Sequence, residues 1–131
     1  MTLVLDTSIL IDIEKKNQEV IAKMVRLSET YIDPPAITFA TFAEFYLGYI
    51  RRHPSKREQA IKELDKYVLL NSTRGSAIIF AVLKETMESA GNAMSSFDLL
   101  IASVVVDRNM ILVTRDKWFR GVDRLNTIIL D

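Results

Sequence analysis

Short apolar runs alternate along this chain with longer stretches in which apolar residues recur at helical spacing. Leu3-Val4-Leu5, Ala36-Ile37-Thr38, Tyr67-Val68-Leu69-Leu70, Met110-Ile111-Leu112-Val113 and Thr127-Ile128-Ile129-Leu130 each read as a short buried strand. Between them, Ile9, Leu10 and Ile13 form the inner face of a first helix, with Thr7 or Ser8 as its cap. Val20, Ile21, Met24, Val25 and Leu27 form the face of a second helix, capped by Asn17. Pro34-Pro35 breaks the chain before a third helix, from about Phe39 to Arg52, which Pro54 stops. Ser55 caps a fourth, roughly Lys56 to Lys66, and Thr73 begins a long fifth that ends near Gly91. Ser95 or Ser96 caps a sixth, which carries Asp98 and runs to about Asn109. Strands that alternate with helices throughout predict an α/β fold with a short parallel sheet covered on both faces.

Composition narrows the function more than the fold. The 131 residues fit one domain, spanning 1–131, with one core, and 49% hydrophobic against 26% charged residues argues for order. No linker, repeat or low-complexity segment interrupts it. The chain has no cysteine, which excludes disulfides, thiolate metal sites and cysteine nucleophiles, and its single histidine, His53, cannot build a histidine-rich zinc site. Any bound metal is therefore held by oxygen, which points to magnesium or manganese. No basic-then-apolar leader opens the chain and no apolar run approaches about 18 residues, so the expectation is a cytoplasmic protein that does not enter a membrane.

Seventeen basic residues balance seventeen acidic ones, so an indiscriminate nucleic-acid binder is not expected. A grip on nucleic acid would need a local basic surface. Arg115 and Lys117 are one candidate, and the run Arg51-Arg52-His53-Pro54-Ser55-Lys56-Arg57 is another, although that run also reads as a solvated turn between helices.

Four carboxylates stand out because each lies in a segment that otherwise reads as core, where an unpaired charge is costly. Asp6 ends the first strand and is followed by Thr7-Ser8. Glu44 lies among Phe39, Phe42, Phe45, Tyr46 and Leu47. Asp98 opens Asp98-Leu99-Leu100-Ile101-Ala102-Ser103, and Asp116 closes Ile111-Leu112-Val113-Thr114-Arg115-Asp116. Ligands of parallel α/β sheets bind beyond the carboxyl ends of the strands. Asp6 and Asp116 fall at strand ends, and Glu44 and Asp98 early in helices, so all four face one edge if the strands are neighbours. Carboxylates that converge there can share a divalent cation, the arrangement that metal-assisted phosphodiester hydrolysis requires. Taken singly, Asp6 also reads as a helix cap and Asp116 as part of a plain turn. Asp12, Glu14 and Asp107 read as surface acids, Asp107 pairing with Arg108.

The ordered set resembles the PIN-domain ribonucleases, and within them the VapC-type toxins of toxin–antitoxin pairs. The likeness rests on Asp6-Thr7-Ser8 after an N-terminal strand, Ala43-Glu44 in the helix after the second strand, Asp98 to Ser103, and Thr114-Arg115-Asp116 followed by Phe119. It covers essentially the whole chain. The resemblance implies a three-layer α/β/α fold and magnesium- or manganese-dependent endonucleolytic cleavage of RNA. It implies that Asp6, Glu44, Asp98 and Asp116 bind the metal and that the hydroxyls of Thr114 and Ser8 support the site. It also implies a protein antitoxin, and a homodimer is the commonest assembly for such a protein. A housekeeping RNA-processing nuclease shares these motifs. A phospho-accepting receiver-like module or a haloacid-dehalogenase-type phosphatase does not, since Thr7 and Ser8 stand where those folds want acids and Leu69-Leu70-Asn71-Ser72 ends the third strand. A non-catalytic binding scaffold is disfavoured by the presence of all four acids.

Phe39, Phe42, Phe45, Tyr46 and Tyr49 are too many large aromatics for one buried helix face, so some are expected at a surface, with Tyr46 and Tyr49 as candidate partner contacts. Trp118 is expected to pack over the last loop rather than to stack on a base.

Overall fold

Five strands of three or four residues form one sheet: β1 (Leu3–Leu5), β2 (Ala36–Thr38), β3 (Val68–Leu70), β4 (Ile111–Thr114) and β5 (Asn126–Ile129). In the computed structural model, which describes residues 1–131, their order is β3-β2-β1-β4-β5 and every neighbouring pair is parallel. Parallel neighbours need crossovers. These are α1 (Thr7–Glu14) and α2 (Gln18–Thr30) after β1, α3 (Phe39–Arg52) and α4 (Arg57–Leu64) after β2, and α5 (Arg74–Ser89) and α6 (Ser96–Asp107) after β3. A short 3-10 helix, Lys117–Gly121, links β4 to β5.

The side chains of each strand divide between two cores because strand residues alternate in direction. Val4, Ala36 and Leu112 join Leu83, Met87, Leu99 and Ile101 from α5 and α6. Leu3, Leu5, Ile37 and Val113 join Ile9, Leu10, Val20, Phe45 and Leu64 from α1 to α4. The result is a three-layer α/β/α sandwich, as the alternation of elements predicts.

The helix starts follow local chemistry. Asn17 accepts from the Val20 amide, Thr38 from Thr41, and Ser95 from Asp98. Thr73 and Ser76 close a reciprocal capping box at α5. Gly91, at φ +75°, ends that helical segment in the left-handed backbone that glycine adopts freely. The fourth helix departs from expectation: it begins at Arg57 after Lys56, with no side-chain cap from Ser55. The 3-10 helix was not foreseeable from periodicity, since a single turn of Lys117-Trp118-Phe119-Arg120-Gly121 holds only one buried residue, Phe119.

The chain runs outward from β1 to β2 to β3, then returns to lay β4 on the other side of β1. The order therefore reverses between β1 and β4, the place where an open α/β sheet leaves a crevice beyond its strand ends.

Candidate active site

That crevice is built from the segments that leave β1 and β4 at their carboxyl ends. The Asp6 amide donates to the Val113 carbonyl, which extends the β1–β4 pairing one residue beyond the strand and fixes where the Asp6 side chain begins. Asp6 occupies the N-cap position of α1, yet its side chain makes no N-cap hydrogen bond to a backbone amide. It faces sideways instead: Oδ2 accepts from Thr114 Oγ1 at 2.7 Å and from Ser8 Oγ at 3.0 Å. Thr114 is fully buried, and its Oγ1 also accepts from the Asp116 amide at 3.0 Å. One hydroxyl therefore ties the first aspartate to the loop that carries the last.

Glu44 comes from the second turn of α3, where Thr7 Oγ1 donates to its Oε1 at 2.5 Å. Asp98 lies in the first turn of α6, placed by the Ser95 cap, whose Oγ accepts from the Asp98 amide at 3.1 Å. Asp116 caps the 3-10 helix through Oδ1, which accepts from the Trp118 amide at 2.9 Å.

Charge couples these groups. Burial is the main cause that raises the Asp6 pKa, against the lowering effect of its bonds to Thr114 and Ser8 and of the nearby Thr7 amide, and the charge of Glu44 raises it further. Burial also chiefly raises Asp98, with Ser95 opposing and the charges of Asp6 and Asp116 adding. The four acids thus form one electrostatic neighbourhood, and none of them is in an ion pair; every basic partner in the protein is engaged with some other acid or with none. As the side chains stand, no three of them enclose a position for a metal ion. Asp6, Glu44 and Asp116 each accept from hydroxyl or amide donors. The donor set is all oxygen, acid-rich and lacking a protein cation, and so suits a hard divalent ion by its chemistry.

Arg115 is not free. Its guanidinium meets Asp12 of α1 at 2.8 Å, which holds it charged, and its amide approaches Ser8 Oγ at 3.4 Å. Asp12, read from sequence as an idle surface acid, fastens the loop after β4 to α1. Lys117 is exposed, with Asp131 at 3.9 Å its nearest acid. The other basic candidates lie elsewhere: α3 carries Arg51 and Arg52 roughly 10 Å farther along its axis than Glu44, at 1.5 Å per residue. Arg52 there faces Glu14 at 4.0 Å and lies over the Tyr49 ring.

The aromatic surplus of α3 emerges at Phe39, which is 60% exposed, with Tyr46 half-buried. Tyr49 corrects the expectation of a surface contact. It is buried beside Phe45, and its hydroxyl donates to Gln59 of α4. Asp107 likewise accepts from Thr73 Oγ1 rather than pairing with Arg108, which donates to the Asn71 carbonyl. Trp118, expected over the last loop, is 69% exposed. Sequence reasoning missed Thr7 and Asp12. Thr7 follows Asp6 directly, and Asp12 lies one helical turn after Ser8, a spacing that puts both on the α1 face toward β4.

Comparison with known proteins agrees with this fold. The model of the PIN domain family matches residues 3–125. The structure of VapBC2 from Rickettsia felis bound to a DNA fragment from their promoter contains a chain similar to this one at 25% identity, TM-score 0.84, with 100% of both chains covered. VapBC-1 from nontypeable Haemophilus influenzae gives 25% identity and TM-score 0.83 over 98% of both chains. VapBC-5 from Mycobacterium tuberculosis, described as a member of the VapBC family of toxin-antitoxin systems, gives 23% identity and TM-score 0.72 over 99% of this chain and 100% of that one. No curated protein sequence matches the chain. No helix is long and apolar enough to cross a membrane. The match of the family model to residues 3–125, on the parallel α/β fold described above, shows that this chain belongs to the PIN domain family.

Proposed function

We propose that this protein is a metal-dependent endoribonuclease and the toxin of a VapBC-type toxin–antitoxin pair. The observation that carries the reading is the group of four acids, Asp6, Glu44, Asp98 and Asp116, drawn from four segments to one sheet edge without a basic side chain to neutralise them. Magnesium or manganese is the proposed occupant; when bound, it supplies charge neutralisation at a phosphodiester and acidifies a water.

The chain's own residues set up that chemistry. Thr114 and Ser8 orient the Asp6 carboxylate, and Thr7 does the same for Glu44. Donors behind acidic ligands are what hold a metal site in shape. The Asp12–Arg115 pair fixes the loop that carries Asp116. Lys117, exposed beside Asp116, is the favoured side chain for an RNA phosphate, ahead of Arg115, which Asp12 occupies, and of Arg51 and Arg52 at the far end of α3. The partners proposed are RNA, a protein antitoxin and a second copy of this chain, with a cytoplasmic location. The antitoxin is supported by the VapBC complexes among the similar structures.

The direct test is cleavage of defined RNAs by the purified protein with manganese, with magnesium and with EDTA, alongside Asp98→Asn. Cleavage that needs the ion and disappears in the variant is the expected result; metal-independent cleavage, or an active Asp98→Asn, would overturn the assignment. Expression without a neighbouring inhibitor reads the biological role. Arrest of growth supports a toxin, whereas harmless expression of a protein active on RNA in vitro would favour an RNA-processing enzyme.

A further inference from the structure

A single exposed apolar side chain carries no message by itself. Trp118 differs from that case in three respects. Its backbone is anchored on both sides, since its amide donates to Asp116 Oδ1 at 2.9 Å and the next residue, Phe119, is fully buried in the core. The 69%-exposed indole is thus held on a fixed mount directly beside the acid cluster. Third, it borders a cleft of about 280 Å³ whose other lining residues are Met87, Asn92, Lys117 and Gly121. Asn92 belongs to the connection between α5 and α6, the segment that leads to Ser95 and Asp98. The cleft is thus bordered by the 3-10 helix that Asp116 caps and by the connection that leads to Asp98.

An aromatic plane, an ammonium and a carboxamide around one opening are the groups that take a nucleotide: the ring for the base face, the lysine for phosphate, the amide for a base edge. Resting on the ribonuclease reading above, we infer that Trp118 is a base-stacking platform for one nucleotide of the RNA. One base lies on the indole in the cleft, and Lys117 faces the adjoining phosphate. A duplex cannot use this platform, because its base faces are already covered by their neighbours. A docked protein helix or strand is the poorer fit. Met87, the other large apolar residue of the cleft, is only 7% exposed and the rest of its lining is Asn92, Lys117 and Gly121, so Trp118 is the one large apolar side chain there for such a partner to cover.

Trp118 is the only tryptophan in the chain, which makes its own emission the reporter. Full-length protein in EDTA, where cleavage is blocked, is titrated with an unpaired oligoribonucleotide of mixed sequence and separately with the blunt duplex of that sequence. The expected result is saturable quenching by the single strand and little by the duplex. Anisotropy with the same labelled strand should show roughly 5- to 100-fold weaker binding for Trp118→Ala. Trp118→Phe, which keeps a ring, should recover most of it, and in the cleavage assay Trp118→Ala should raise KM far more than it lowers kcat. Unchanged emission, equal quenching by duplex, or wild-type affinity in Trp118→Ala would each overturn the platform. So would quenching by the co-expressed inhibitor protein but not by RNA, which would give this surface to a protein. A wild-type protein that cuts RNA while failing these tests leaves the nuclease intact. One that binds and quenches but never cuts with metal present fails the nuclease reading instead.

Discussion

Two helix starts in this molecule place an oxygen-bearing side chain at the same local position and use it in opposite ways. At α5, Thr73 accepts from the Ser76 amide while Ser76 accepts from the Thr73 amide, and Asp107 takes the remaining Thr73 hydroxyl proton at 2.8 Å. Every group there is satisfied, mostly by its own helix. At α1, Asp6 stands at the cap position, makes no cap bond, and spends its carboxylate on Ser8 and on Thr114 of another strand. A cap is worth about 1 kcal/mol, so the α1 start forgoes stabilisation that the α5 start keeps. It also holds a buried carboxylate whose pKa burial pushes up. Local rules are kept where a residue serves only the fold and are broken where it faces a shared site.

The sharpest way to break this comparison is Asp6→Asn. Asparagine preserves the shape and an acceptor oxygen for Thr114 and Ser8 but removes the charge. If Asp6 is a metal ligand, RNA cleavage should fall by at least about 100-fold, since the charge stabilisation that such a site supplies is worth several kcal/mol. Thermal stability without metal should hold or rise. An active Asp6→Asn protein, or one that unfolds, would make Asp6 structural after all.

Thr114→Val tests the sideways bonds themselves. Valine is nearly isosteric, but it leaves Asp6 without its 2.7 Å donor and the Asp116 amide without an acceptor. Loss of the groups that orient ligands typically costs roughly 10- to 100-fold in metal affinity or activity. Thr114→Ser should recover most of that loss. Calorimetric manganese binding that is unchanged in Thr114→Val would detach this hydroxyl from the site.

How far this division was legible in the sequence depended on whether the signal was local. The strands and the caps at Asn17 and Ser95 could be read because each depends on its own neighbours in the chain, and the four acids drew notice for the same reason. The Asp12–Arg115 pair could not. It joins residues 103 positions apart, and only the β1–β4 adjacency brings them together. Tyr49 was misassigned because helical periodicity says how many aromatics a face can hold but not which one α4 will cover. Trp118 was misassigned because a one-turn 3-10 helix has no period to read. In it Phe119 takes the buried place and leaves the tryptophan outside.

At the other start, Thr73→Ala should have the opposite signature. It removes the cap and the Asp107 bond, and should cost about 1 kcal/mol, a Tm drop of a few degrees for a chain of this size. Cleavage at a temperature well below Tm should be unaffected. A loss of activity in Thr73→Ala that exceeds the loss of folded protein would mean that α5 positions the site, and the contrast between the two starts would fail.

The smallest effect expected is a dependence of stability on pH, and its sign separates the two regions again. Asp98 has its pKa raised above the ordinary 3.8, mainly by burial and further by the charges of Asp6 and Asp116. As pH rises past that ordinary value, the unfolded chain releases the proton first, while the folded protein still holds it. The folded state then loses relative stability until its own pKa is passed, after which the penalty is constant. Asp98→Asn has no proton to lose. In EDTA the two proteins should therefore have their most similar Tm values at acid pH, and the variant should gain on the wild type as pH rises from about 4 toward neutrality. Manganese at neutral pH should reverse the order, because an ion that binds the folded state stabilises the wild type by mass action and finds one ligand fewer in the variant. A Tm difference that stays constant across this range, with or without manganese, would show that Asp98 carries no buried charge for an ion to relieve.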